Sequence, residues 1–359
     1  TSGMPDVNDY EWNKPQYDEG AAERFVRGNS KESMLWKPDA KRFRYSNMAF
    51  DTLGDVIAKT SGMSFEKYVK KNILNPLGMK NSSFLIKKIP TKLRTSPHSW
   101  KLKLAVSDVY PYNRRHAPSS TLNSSAVEMA NWAIVNLNRG KYRKKRILKD
   151  SSYNALFSKS ADVNGSMSVG LSWFLGTHRG MKTINHSGGD TGYSSFFVMF
   201  PEKDVGIIVL CNYDRAPVTE IYQTIADTLF GFEPRMPKPS VAMPFAKVFI
   251  EKDIDAARTY YYDLRKKSAD EYSFGAGDLN GLGYVLLREK RVKDAVEIFK
   301  FNVELYPKVA NVWDSLGEGY EALGNKERAI ESYEKALKLD PTIGSSKKAL
   351  ERLKSDPKP

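Results

Sequence analysis

Apolar residues in the first two thirds of the chain follow two different periods. Between Ser64 and Leu74, the residues Phe65, Tyr68, Val69 and Ile73 recur at helical spacing behind an N-cap serine and an acidic first turn, which predicts an amphipathic helix. Ser125 to Leu137 repeats that pattern. From Gly170 onward the period shortens. Leu171–Leu175, Ser195–Phe200 and Val205–Leu210 read as strands, with turns expected at Gly188-Gly189 and at Pro201–Asp204. Four turn residues between the last two strands make them a hairpin, so this part of the chain reads as mixed helix and strand around an at least partly antiparallel sheet.

Beyond residue 240 the helical period takes over and repeats. Leu279, Leu282, Gly283, Leu286, Ala295, Phe299 and Pro307 recur 34 residues later as Trp313, Leu316, Gly317, Tyr320, Ala329, Tyr333 and Pro341. The second copy reads W-x2-L-G-x2-Y, then Ala, an aromatic and Pro, and resembles a tetratricopeptide (TPR) repeat. Each such unit is a helix pair: small residues permit close packing, large ones fill the interface, and proline closes the second helix. The clear copies are 276–309 and 310–343. Because stacking needs about three units, residues 245–267 are expected to form a degenerate first pair and Ala349 to Leu353 a polar closing helix. The run Glu233–Pro239, with Pro244 beyond it, reads as a linker. The expected division is therefore 1–232, a linker at 233–244, and an all-α repeat domain at 245–359.

Composition narrows the choice of chemistry. One cysteine, Cys211, makes no disulfide framework, and His98, His116, His178 and His186 lack metal-ligand spacing, so no metal site is expected. The longest apolar run, Val205 to Cys211, is far below the roughly 20 residues that cross a bilayer, so no membrane span is expected. No targeting signal is read at the first residues. The net charge of +14 is unevenly placed: residues 236–359 carry 22 basic and 20 acidic side chains, the rest 34 and 22. The excess gathers in Lys87–Lys103 and in Arg139–Lys149. Each cluster holds a single aromatic and none of the folds that read nucleic acid, so both read as solvated loops, with no nucleic acid as partner. Attraction to an anionic envelope surface is the sharper alternative.

Two short constellations carry chemistry. Phe43, Arg44, Tyr45, Ser46 and Asn47 lead into the run Asp51–Ile57, while His186, Ser187, Gly188 and Gly189 lead into the hairpin strands. In this order the sequence resembles the serine β-lactamase and penicillin-binding family, in its class C-like branch of β-lactamases, D-amino peptidases and esterases. Thr1–Pro5, Pro76–Met79, Ala117–Ser120 and Gly170–Trp173 extend the likeness to about residue 232. The resemblance implies an α+β fold of the β-lactamase/transpeptidase type, an antiparallel sheet flanked by helices. It also implies acyl transfer through a serine ester, with no cofactor.

That family uses S-x-x-K, Y-x-N, and K-T-G or its H-x-G variant. The last two are present. Because Thr-Ser-Gly lies downstream of the S-x-x-K helix in the family, the chain is expected to start after its own nucleophile, with the domain truncated at its N-terminus. Ser64–Lys67, Ser332–Lys335, Ser345–Lys348 and Ser355–Lys358 fit the string but not the place. No G-x-S-x-G elbow occurs, which argues against an α/β-hydrolase. Trp36 to Asp39 stands where relatives carry Pro-Gly, and Asp39 suits a turn.

The resemblance assigns roles residue by residue. A serine hydroxyl needs a base to take its proton and an acid to protonate the leaving group, and Tyr45 is the expected relay. With an ordinary pKa near 10, its phenol needs nearby positive charge, which the family's lysine supplies. Asn47 is the amide donor to a substrate carbonyl. His186 takes the place of the K-T-G lysine, facing the tyrosine hydroxyl or a substrate carboxylate, and carries full charge only below about 6.5. That weaker charge favours ester or small amide substrates. Ser187, Gly188 and Gly189 complete the substrate-binding stretch, with the Gly189 N–H as second oxyanion donor. The expectation is a serine hydrolase for a small-molecule or peptide substrate, inactive as these residues alone, with a protein partner through the repeats and a periplasmic or other extracytoplasmic location. The alternative is a non-catalytic penicillin-fold receptor, or a scaffold organised by the repeats.

Overall fold

The computed structural model describes residues 2–29, 34–38 and 43–355; Thr1, Asp39 and Lys358, named above, lie outside the described residues. The chain divides into two compact units, residues 1–99 with 106–237, and residues 238–359 with 100–105.

The first unit holds helices α1 (Ala21–Asn29), α2 (Asn47–Ser61), α3 (Phe65–Val69), α4 (Ala126–Leu137), α5 (Asp150–Phe157) and α6 (Val218–Leu229), and the described residues form three sheets. Two are short ribbons: β1 (His98–Trp100) with β2 (Leu104–Val106), of which residues 100–105 group with the second unit, and β3 (Lys141–Tyr142) with β4 (Lys145–Arg146) in the first. The third has six strands: β5 (Ala161–Asp162), β6 (Ser168–Val169), β7 (Phe174–His178), β8 (Met181–Asp190), β9 (Tyr193–Phe200) and β10 (Val205–Cys211). It is antiparallel throughout, each strand pairing with its neighbours in the chain.

Side-chain alternation along β9 explains the layers. Phe197 and Met199 join Ala133 of α4 on one face, while Phe196, Val198 and Phe200 join Val218, Tyr222 and Ala226 of α6 on the other. The sheet is thus buried between two helices. Ser125 caps α4, its hydroxyl accepting from the Glu128 N–H at 3.3 Å.

Three local expectations are corrected. Gly188 and Gly189 are not a turn: they lie within β8, opposite Ser195 and Ser194. A Cβ on Gly188 would meet the Ser195 hydroxyl at 2.4 Å, so close approach across the ladder accounts for that glycine. The chain reverses at Thr191 and Gly192, where Gly192 takes φ +76°. The strand expected at Leu171–Leu175 runs instead over Phe174–His178. The helix expected from Ser64 is α-helical only over Phe65–Val69 and continues as a π-helical turn, Lys70–Leu74, without side-chain capping by Ser64.

The second unit is helical: α7 (Ala242–Glu251), α8 (Ile254–Lys267), α9 (Ala276–Arg288), α10 (Val292–Leu305), α11 (Ala310–Ala322), α12 (Lys326–Leu339) and α13 (Gly344–Ser355). The segment read as a linker to residue 244 ends sooner, because Pro244 sits in the first turn of α7, where its missing N–H costs no hydrogen bond. Gly283 packs under the Phe299 ring and Gly317 under Tyr333, the same contact in successive repeats.

Candidate active site

The Tyr45 segment is shaped by the start of α2. Ser46 is the N-cap: its hydroxyl accepts from the Ala49 N–H at 3.1 Å and donates to the Pro5 carbonyl at 2.6 Å. Asp6 Oδ1 accepts from the N–H groups of Asn47, at 2.6 Å, and Val7, at 2.9 Å. The first turn's unpaired donors thereby clasp residues 5–7 against the helix start. Asn47 opens α2 half-buried.

His186 reaches the same place from β8. Its ring lies 6.0 Å from the Tyr45 ring and 5.4 Å from Phe174 on β7, and Phe174 meets Phe43 edge-on at 5.8 Å. Four rings therefore join the tyrosine segment to the sheet. The His186 Nδ1 is 2.7 Å from the Ser187 carbonyl. A carbonyl only accepts, so Nδ1 holds the proton and the neutral ring keeps its Nε2 lone pair. Burial pushes the imidazole pKa down, and the Ser187 carbonyl offsets this in part.

Ser187, Gly188 and Gly189 are exposed. The β7 ladder ends at the pair Phe174–Asn185, whereas β9 pairs on to Asp190. From His186 to Asp190 one edge of the strand thus has no ladder partner among the described residues, and its backbone groups can receive an extended ligand.

Burial raises the Tyr45 pKa, and the carboxylates of Asp6 and Asp190 raise it further, with no cation among the described residues contributing. Burial pushes Asp190 itself up to about 7, against hydrogen bonds from Trp12 and the Thr191 backbone. Tyr10, stacked on Trp12 at 4.7 Å, is raised by burial and then by the same two carboxylates. Among the described residues, the charges that act on Tyr45 are acidic. Asp6 and Asp190 carried no role in the sequence reading, although Asp190 directly follows the His186 block.

Groups of three S-x-x-K strings are engaged elsewhere. Lys67 pairs with Glu19 at 3.0 Å. Ser332 donates to the Arg328 carbonyl at 2.8 Å, Lys335 lies over the Trp313 ring, and Ser345 donates to Asp314 at 2.9 Å. Two other histidines are bound to buried carboxylates, His116 to Asp51 and His178 to Asp227, each at 2.7 Å.

The family profile named Beta-lactamase matches residues 1–230, and the tetratricopeptide repeat profile matches residues 310–343. The chain belongs to the beta-lactamase family. It is similar to Protein flp of Staphylococcus aureus, 27% identical over 184 residues, which is 51% of this chain and 36% of that protein. The chain thus spans about a third of the length of that relative. In fold it resembles the octameric penicillin-binding protein homologue from Pyrococcus abyssi, with a TM-score of 0.56 at 22% identity over 69% of this chain and 57% of that one. It also resembles the D-amino acid amidase from Ochrobactrum anthropi SV3 complexed with L-phenylalanine amide, with a TM-score of 0.53 at 16% identity over 64% and 69% of the two chains. The penicillin-binding fold and the C-terminal repeat expected from the motifs are both present.

Proposed function

We propose that the Tyr45–His186 site belongs to a serine hydrolase that works by acyl transfer on small esters, amides or D-amino peptides. The observation that carries this is the meeting of the two motifs, ring to ring at 6.0 Å, beside a strand edge that has no ladder partner among the described residues. A serine oxygen attacks the substrate carbonyl while Tyr45 takes its proton and passes it to the leaving group; water then reverses the exchange and frees the acid. Asn47 holds the substrate carbonyl. The Gly189 N–H and the serine's own N–H stabilise the oxyanion. His186 offers a neutral Nε2 where a lysine would offer a charge, which favours substrates without an obligatory carboxylate. Residues 1–359 by themselves do not turn over, because none of their S-x-x-K strings stands in the family's place. The repeats bind a protein partner, and the working location is extracytoplasmic.

The acidic surround of Tyr45 favours a second reading, a non-catalytic penicillin-fold pocket or scaffold. Mass spectrometry after fluorophosphonate treatment decides between them. These residues take up no adduct, and a chain extended through the upstream reading frame is modified at the serine of an S-x-x-K. An adduct on Ser64, or none on the extended chain, overturns the hydrolase reading.

A further inference from the structure

The basic segment Arg139–Lys149 folds into a device that the hydrolase reading does not use. Its centre is the β3–β4 ribbon, with Lys141 opposite Arg146 and Tyr142 opposite Lys145. Tyr142 is buried in a cluster with Val69, Leu77 and Val135, and Arg146 Nη1 donates to the carbonyls of Arg139 and Leu148 at 3.1 Å each. The ribbon is therefore fastened to the first unit. Arg139 is engaged by Asp150 and Asn154. Asp150 is the only acidic residue between Glu128 and Asp162. Five other cations, Lys141, Arg143, Lys144, Lys145 and Lys149, are exposed, and none forms an ion pair among the described residues. Arg143 holds φ +52° at the turn, a conformation that glycine or asparagine ordinarily fills, so the backbone is strained to keep an arginine there.

We propose that this ribbon docks the protein on the surface of an anionic phospholipid bilayer, its cations against the phosphates. Leu148, 41% exposed beside Lys149, grazes the acyl boundary. Nucleic acid fits less well: the ribbon's one aromatic is buried, leaving no ring for a base to stack on, and two residues per strand make no groove that tracks a backbone.

Vesicle co-sedimentation of the full chain tests this. Binding is expected to phosphatidylcholine vesicles holding about 30 mol% phosphatidylglycerol, not to phosphatidylcholine alone, and to fall as salt rises. The combined Lys141→Gln, Lys144→Gln and Lys145→Gln variant loses about 5-fold per cation, hence about 100-fold in partitioning, with its circular dichroism and thermal midpoint unchanged. A matched triple in the other basic cluster, Lys88→Gln, Lys92→Gln and Lys103→Gln, loses less than about 10-fold. No binding to the anionic vesicles, equal losses in both triples, or tighter binding to a DNA strand than to vesicles at the same salt would each overturn the proposal.

Discussion

Tyr45 holds its proton more tightly than a phenol in water, since burial and the charges of Asp6 and Asp190 all oppose phenolate. As a relay it depends on a cation brought close enough to reverse that field. In an extended chain with turnover, Tyr45→Phe is expected to lower kcat/KM by about 100-fold or more without moving the thermal midpoint, because the hydroxyl holds no partner among the described residues. Unchanged turnover rejects the role. Asp190 gives a pH signature. Its folded pKa, about 7, lies above the ordinary carboxylate value, so its contribution to stability is full below about 4 and is lost as pH rises through 7. The midpoint of Asp190→Asn relative to the parent should therefore climb between about pH 4 and 7 and level off above that. A flat difference would mean that Asp190 is charged in the folded protein. That Tyr45 and His186 come together was legible because each sits in a motif the sequence singles out. Asp6 and Asp190 were not, because a field is set by what folding brings near.

Among the elements, the repeats were the most readable, because a packing requirement renewed every 34 residues leaves the same trace each time. Gly283 makes this measurable. A Cβ there would meet the Phe299 ring at 2.2 Å, so Gly283→Ala is expected to cost about 1–3 kcal/mol in urea unfolding, partly recovered by Phe299→Leu. Gly188 shows the opposite case. Glycine punctuates turns in general, but here the demand came from a hydroxyl on the facing strand, and nothing local in the chain announces it. The π-helical turn after Val69 was equally hidden: the stripe through Ile73 survives it, since burial of Leu74, Leu77 and Met79 depends on packing against α4 and β3.

For the whole molecule, the charge of +14 is a global cost on compactness, and most of it lies before residue 236. Raising KCl from about 20 to about 200 mM should raise the thermal midpoint, as the screening length falls below about 8 Å; calorimetry that finds no change would show the cations already too far apart to repel. The order of the large sheet has a different consequence, one in time. Its strands run from Ala161 to Cys211 and each pairs with its own chain neighbours, so the sheet closes from contacts near in sequence. The strand bearing His186 is seated between partners that emerge just before and just after it during synthesis. The ring of Tyr45 arrives from far upstream. The scaffold is thus quick to assemble on a nascent chain, and the meeting of the two motifs is the slow, long-range step that finishes the site.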